Sequence, residues 1–390
     1  MMKKILFVIN NMNIGGVPKS LVELLKCISC KYEISLYCAD GEGAMLNDIP
    51  DDINILPACN IAKITEYSVD KCKKMGVIYY LLRVVLSSFS KSFGKNIPAK
   101  VLLTMMGKIK GEYDVAVSFV QPVHDKQFYN LSNEIVLKKV NAKRKITFVH
   151  CDFISYGGNT KYNRNLYKKF DAVAAVSDSV GKRFLEANEG LKDKVFTVLN
   201  CCDFENVAKL SEVDTVNYEK KTFVTVARLG KEKGHLRCVE IFSRLKSEGY
   251  DFEWHLIGGG DLEKVIKRKI SELGMSDCIF LEGEQTNPYR YMKNADWFLL
   301  PSYHEAAPMV YNESACLKLP MLTTNTLSAV ELVENRGAGE VCDNTDEAIY
   351  IMLKKALDGK IVVDFKNFSA DNKNATLQFD YICKGEYHNQ

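Results

Sequence analysis

Apolar and polar positions along this chain alternate between two periods. Short apolar runs with the length and β-branched content of buried strands recur as "KILFVI", "YEISLYC", "DVAVSF", "KITFVH", "DAVAAVS" and "KVFTVL". Stretches with helical spacing or polar loops lie between them, beginning with "LVELLKCI". Residues 66–110 read as helical and rich in lysine. Over residues 200–221 the period is lost and the composition turns polar, which predicts a linker. The second half repeats the alternation more cleanly. Strand "TFVTVA" precedes a helix from Gly234 to Lys246, and strand "FEWHLIG" a helix from Leu262 to Leu273. Strand "CIFLEG", helix "PYRYMKN", strand "DWFLLP", helix "MVYNESACL" and strand "PMLTT" follow.

Strands alternating with helices predict parallel sheets covered on both faces, an α/β architecture. Two such halves joined by a linker predict two Rossmann-like domains facing an inter-domain cleft. The first is expected over 1–205 and the second over 206–365. Ligands of such sheets bind outside the carboxyl ends of the strands.

The chain has 390 residues, 47% of them hydrophobic, enough to bury two cores. Its net charge is only +3, which argues against a strongly basic nucleic-acid binder. Thirteen cysteines are scattered without a disulfide-framework spacing, and the apolar run in "MMKKILFVIN" is too short for a secretory signal. They read as reduced, mostly core residues of a cytoplasmic protein. Cys27 and Cys30 form a lone CxxC, and a zinc site would want a second pair. No run reaches the roughly 18 apolar residues of a membrane span; the nearest, "VIYYLLRVVLSSF", is interrupted by Arg83.

Candidate chemistry gathers at predicted strand ends. In "VARLGKEKGH", Arg228, Lys231 and Lys233 follow a strand, and Gly234 allows a tight turn into a helix. Fixed cations beside a helix N-terminus suit a diphosphate, while a solvated basic loop is the plain alternative. Gly258 and Gly259, in "LIGGGDLEK", permit close approach of backbone to ligand or merely a tight strand–helix turn. Gly15 and Gly16, in "GGVPKS", repeat the device after the first strand. They do not spell GxGxxG, although Asp40 stands where a dinucleotide fold puts its ribose acid, so an NAD reading has little support. His150 ends "KITFVH" ahead of Asp152, where it can hydrogen-bond a substrate or serve as a satisfied structural histidine; His124 and Asp125 lie in a separate loop, where the structural reading is stronger. Glu305 and Glu313 are eight positions apart. On one regular helix they would diverge by about 80° and lie about 12 Å apart. Pro308 breaks the segment, which predicts Glu305 in the strand–helix loop and Glu313 on the helix. Two acids at different depths can grip two hydroxyl-rich parts of one ligand. Metal ligation lacks a completing His or Asp.

The series "VARLGKEKG", "LIGGGD", "LEGEQTNPYRYMKNADWFLLPSYHEAAP" and "NESACLKLPMLTTN" resembles the retaining glycosyltransferases of family four, which have the GT-B fold. The resemblance is dense over about 221–345 and looser through "NNMNIGGVPKSLVELL", "YDVAVSF", "FVHCDF" and "AAVSDSV". It implies a nucleotide-diphosphate sugar as co-substrate, no metal and no further cofactor. Arg228 and Lys233 would neutralise the diphosphate, Glu313 would bind the ribose and Glu305 the donor sugar. Gly15 and Gly16 would approach the phosphates, and His150 would contact the sugar. The loop Gly283 to Pro288 would lie along the base. Ala306, Ala307, Pro308, Met309 and Val310 complete the donor segment; the family usually has Gly, then an aromatic or Leu, where this chain has Ala306 and Ala307. The last stretch, 366–390, would return as a helix to the first domain.

The resemblance implies sugar transfer to a glycan or lipid-linked acceptor in surface polysaccharide or glycoconjugate biosynthesis. The acceptor side is expected in the first domain. Lysines mixed with apolar residues over 70–110 suit a helix lying on an anionic membrane at the inner face of the cell membrane, or an ordinary amphipathic helix with its lysines in solvent. A sugar-nucleotide epimerase, a phosphorylase and a non-catalytic nucleotide-sugar-binding protein stand as alternatives.

Overall fold

The structure is a computed structural model that describes residues 2–385. It divides into one unit of Met1–Cys201 with Asn372–Gln390, and a second of Cys202–Asp371.

Unit 1 opens with β1 (Lys4–Ile9), α1 (Gly16–Ile28), β2 (Glu33–Cys38), β3 (Asn54–Leu56) and α2 (Asn60–Glu66). Three further helices follow: α3 (Val69–Met75), α4 (Val77–Phe93) and α5 (Asn96–Met105). Then come β4 (Glu112–Ser118), α6 (Ser132–Lys139), β5 (Asn141–Val149), α7 (Lys161–Tyr167), β6 (Ala172–Ala175), α8 (Asp178–Ala187) and β7 (Val195–Thr197). The sheet has the order β3-β2-β1-β4-β5-β6-β7 with every pair parallel. Helices cover both faces of such a sheet, which is why β1 reads as an unbroken apolar run: Ile5 to Ile9 are all buried. Its edges are short, three residues each in β3 and β7.

Unit 2 runs α9 (Phe204–Ser211), β8 (Thr222–Val226), α10 (His235–Ser247), β9 (Glu253–Ile257), α11 (Glu263–Glu272) and β10 (Ile279–Gly283). It continues with α12 (Tyr289–Met292), β11 (Trp297–Leu300), α13 (Met309–Cys316), β12 (Met321–Thr324), β13 (Gly339–Cys342) and α14 (Asp346–Leu357). Its parallel sheet is ordered β10-β9-β8-β11-β12-β13. The core carries Phe223, Phe242 and Trp254. The buried indole is satisfied, donating to Thr225 Oγ1 at 3.0 Å, while that hydroxyl donates to the Leu299 carbonyl at 2.6 Å.

The chain then re-enters unit 1 as α15 (Lys373–Lys384). Phe379 stacks on Phe7 of β1 with ring centres 5.8 Å apart. Asp380 accepts from the Tyr32 hydroxyl at 2.6 Å and pairs with Lys31. Arg144 Nε donates to the Ile382 carbonyl at 2.7 Å.

The expected linker is in part a helix. Within 200–221, α9 is started by the Asp203 carboxylate, which accepts from the Asn206 N–H at 3.1 Å. The helix buries Val207 and Ser211 and leans Phe204 and Leu210 on the unit 2 core. The sequence reading passed over two signals here: Phe204, Val207 and Ala208 at i, i+3 and i+4, and Asp203 as a recognisable start. Asp203→Ala should therefore cost unit 2 about 1 kcal/mol, read as a lowered denaturation midpoint at unchanged slope.

Candidate active site

In unit 2 the strand order reverses between β8 and β11. Loops leaving these two strands diverge, and their diverging ends are where α/β sheets bind ligands. The loop after β8 carries Arg228, Lys233 and Gly234; the loop after β11 carries Ser302 and Glu305. Lys233 Nζ stands 2.5 Å from Glu305 Oε1, and the Ser302 hydroxyl donates to the same oxygen at 2.7 Å. Both charged side chains are largely covered, with 20% and 11% of their surface exposed.

A close backbone approach holds the two loops together. Gly234 has φ +71°, and a Cβ there would stand 2.0 Å from the Pro301 carbonyl oxygen. That carbonyl accepts from buried Arg237 through Nε at 3.1 Å and Nη2 at 2.5 Å. Tyr303 N–H donates to the Glu232 carbonyl at 2.7 Å, Thr324 Oγ1 to the Ser302 carbonyl at 2.5 Å, and Asn344 Nδ2 to the Tyr303 carbonyl at 3.0 Å. The segment before Glu305 is thus fixed from four sides.

Arg228 is engaged within its own loop. Its guanidinium pairs with Glu232, and its side chain is 70% exposed. Glu232, Lys233 and Glu305 continue the alternation, so Arg228 and Lys233 each have an acidic neighbour. The sequence reading did not single out Glu232.

The glycines after β9 are also used differently from the expectation of open approach. Gly258 has φ +140°, and a Cβ there would lie 2.1 Å from the Ala227 carbonyl oxygen. At Gly259 it would lie 2.8 Å from Glu284 Cγ. Leu229 N–H donates to the Gly259 carbonyl at 2.8 Å. These residues knit the β8 and β9 loops to each other, so the tight-turn alternative describes them. Gly283, at φ +67°, has open space at its Cβ position. The loop from Gly283 to Pro288 is tied to α9 where Asn287 Nδ2 donates to the Leu210 carbonyl at 2.8 Å.

Helix α13 begins after Pro308, and no side chain caps its N-terminus. Glu313 is buried on it, while Glu305 precedes the helix. Met309 is buried; Ala306, Ala307, Pro308 and Val310 are half-buried. Ala307 and Val310 pack against the unit 2 core, so the methyl at 307 has a packing role of its own.

In unit 1, Gly15 precedes α1 with extended φ, and a methyl at Gly16 would meet no heavy atom within 4 Å. His150 follows β5. Its ring lies against Phe119 and Phe148, at 4.7 and 5.5 Å between centres. Burial pushes its pKa down to about 4, opposed by a hydrogen bond to the Phe119 backbone. The ring is neutral at pH 7, and its Nε2 is buried without a hydrogen-bond partner. Gln121, which sequence reasoning missed, fixes this position: its Oε1 accepts from the His150 and Cys151 N–H groups at 2.7 and 2.9 Å.

Other candidates are engaged locally. Asp40 is buried and accepts from Cys38 Sγ and the Glu42 N–H, both at 3.0 Å, which leaves the dinucleotide reading without its ribose acid. Asp152 caps the following turn, accepting from the Ile154 and Ser155 N–H groups at 2.9 Å each. His124 lies 3.4 Å from Asp125 within its own loop. Among the described residues no two cysteines form a disulfide.

Three variants check this reading. Gly234→Ala should destabilise unit 2 by several kcal/mol, because strain at positive φ adds to a clash that flexible atoms cannot relieve. Gly16→Ala should leave the melting temperature unchanged. His235, buried beneath this loop, has its pKa lowered to about 4 by burial and then by Lys233. Between pH 6.5 and 4 the unfolded chain binds a proton that the folded chain refuses, so stability is lost as pH falls through that window. His235→Gln should make urea midpoints less sensitive to pH there, by an order of 1 kcal/mol per pH unit.

Residues 207–367 match the family model for glycosyl transferases group 1. Among curated proteins, the chain is 28% identical over 207 residues to the N-acetylgalactosamine-N,N'-diacetylbacillosaminyl-diphospho-undecaprenol 4-alpha-N-acetylgalactosaminyltransferase of Campylobacter jejuni. That match covers 52% of this chain and 55% of the relative. It is 27% identical over 242 residues to the O-antigen biosynthesis glycosyltransferase WbnH of Escherichia coli, covering 59% of this chain and 65% of that one. The chain thus spans less than two thirds of the length of each of these relatives. Among solved structures, HepE of Anabaena in complex with UDP-glucose superposes with a TM-score of 0.64 at 15% identity, covering 98% of both chains. The chain thus has the GT-B fold, and its residues 207–367 are similar to the glycosyl transferases group 1.

Proposed function

We propose that the protein is a retaining glycosyltransferase of family four. It moves a sugar from a nucleoside diphosphate sugar to a hydroxyl of a glycan or lipid-linked acceptor, in the building of surface polysaccharide or glycoconjugate. The observation that carries this reading is the Lys233–Glu305 contact at the strand-order reversal of unit 2. A cation and a carboxylate held together there match the two needs of such a donor, a charged diphosphate and a hydroxylated sugar. The Anabaena neighbour's complex with UDP-glucose supports a UDP-sugar, and the name of the Campylobacter relative supports a diphospho-undecaprenol-linked acceptor.

Glycosyl transfer breaks the anomeric C–O bond through an oxocarbenium-like state, and negative charge grows on the departing diphosphate. Lys233 is in place to meet that charge. Diphosphate competes with Glu305 for the ammonium, and the carboxylate turns to the hydroxyls of the sugar. Arg228 exchanges Glu232 for phosphate in the same way, and its exposure leaves it free to swing. Glu313 holds the ribose hydroxyls. These cations gain most where charge is greatest, in the transition state, so they raise turnover more than ground-state affinity. No metal is invoked. Retention follows from attack by the acceptor hydroxyl on the face the diphosphate leaves, with a leaving phosphate oxygen taking the proton. The neutral His150 ring donates to the Phe119 backbone, and its unpartnered Nε2 accepts from a sugar hydroxyl.

Steady-state kinetics on a UDP-sugar panel, with the product anomer assigned by NMR, test this. Lys233→Ala should lower kcat by about 10²–10³. Glu313→Ala should mainly raise the donor KM, and His150→Ala should cost turnover more than donor affinity. Full turnover by Lys233→Ala would remove the diphosphate assignment, and a product of inverted configuration would remove retention.

A further inference from the structure

The helical segment of unit 1 carries an unusual surface. Between Asp70 and Glu112 the chain has no acidic residue, yet it has eight lysines and Arg83. Two basic groups are spent inside: Lys95 is fully buried 3.5 Å from Glu134, and Arg83 Nη1 donates to the Phe128 carbonyl at 2.7 Å. Lys71 pairs with Glu42 at 2.7 Å. Lys73, Lys74, Lys91, Lys100, Lys108 and Lys110 are exposed.

Helix α4 is apolar on two sides. Tyr79, Leu82 and Leu86 face the unit 1 core. Val77, Ile78, Leu81 and Val85 form a second row that is exposed, the first two at 72% and 71%. On the neighbouring α5, Ala99, Leu102 and Leu103 join the core while Ile97, Val101 and Met105 are exposed in their own row. Spacings of four residues put each row on one helix face, and Lys91 and Lys100 border their rows, about 80° and 100° from the row centres. Phe93, 76% exposed, stands at the turn between the helices. An ordinary amphipathic surface helix shows solvent its polar face; here the face away from the core is apolar and rimmed by lysine.

We propose that the outer face of α4 and α5 docks this protein on an anionic lipid bilayer. The occupant is set by charge complementarity: exposed apolar rows without a single acid among them, bordered by ammonium groups, fit the acyl and headgroup layers of a negatively charged leaflet. Leu81, Val85, Ile97 and Val101 sink below the headgroups while Lys91 and Lys100 snorkel to the phosphates. The proposal draws on the lipid-linked acceptor reading for its purpose, but binding is measured without sugar donor or acceptor, so the two fail separately.

The full chain is sedimented with vesicles of phosphatidylcholine alone and with added phosphatidylglycerol. We expect binding to the anionic vesicles only, weakened by salt. Combining Leu81→Glu with Val85→Glu should reduce it by about tenfold or more at unchanged melting temperature and unchanged turnover on a soluble acceptor. Lys91→Glu with Lys100→Glu should reduce it while keeping the apolar rows. The proposal is overturned by absence of binding to anionic vesicles, by equal binding of the Leu81/Val85 variant, or by a concentration-dependent dimer that this variant abolishes, which would make the face a self-interface.

Discussion

A single carbonyl organises unit 2. The oxygen of Pro301 accepts two hydrogen bonds from a buried guanidinium, Arg237, and lies so close to Gly234 that no side chain fits between. Gly234 follows Lys233, and Pro301 opens the loop that ends at Glu305. Pulling these two backbones together brings an ammonium and a carboxylate to 2.5 Å across the strand-order reversal. The buried charge of Arg237 is tolerable because it is answered by Pro301, by Asn344 Oδ1 at 2.8 Å and by the face of Tyr303, whose ring centre lies 3.9 Å away. Loops fixed this firmly can hold charged groups without reorganisation, which is the condition for large electrostatic effects in the transfer proposed above.

The Lys233–Glu305 pair also explains how such a loop survives without ligand. Two partly covered charges would each carry a desolvation cost if left alone; paired, and with Ser302 donating to the carboxylate, they offset most of it. On the proposed function, a donor offering a diphosphate to one partner and hydroxyls to the other would replace that contact with two. The net gain would be modest in the ground state, because a good interaction is given up for each one made, and would grow only as the leaving diphosphate gathered charge.

Much of this was legible in the sequence because parallel strands buried on both faces announce themselves. "KILFVI", "TFVTVA" and "WFLL" are apolar runs of strand length, and each appears as a strand with its following motif at the carboxyl end. Glu305 before Pro308 and Glu313 after it fall in loop and helix as the proline dictates. What was not legible depends on contacts across the sheet. Gly258 signals freedom, but whether a ligand or the Ala227 carbonyl uses it is a matter of which strand lies beside β9. Arg228 signals charge, but Glu232 four residues on takes it up. Gln121 carries no motif at all; its role comes from β4 and β5 pairing in register, which sets its side chain under the His150 amide. Helix α9 was missed although Phe204, Val207 and Ala208 share a helical spacing, because only eight residues of it stand in an otherwise polar stretch.

His150 and His235 show why a shifted proton affinity does not by itself mark a site. Both are pushed down to about 4, and burial is the first cause in each. His235 is wholly buried beside Trp254, with neither ring nitrogen bonded to protein, and the charge of Lys233 adds to its shift. Its ring fills space under the phosphate-binding candidate loop and stays neutral because a second cation there would be repelled. His150 stands at the end of a strand, with one nitrogen engaged by its own unit and the other unpartnered. Equal shifts thus arise from the same first cause, burial, with different second contacts: the charge of Lys233 for His235 and the Phe119 backbone for His150.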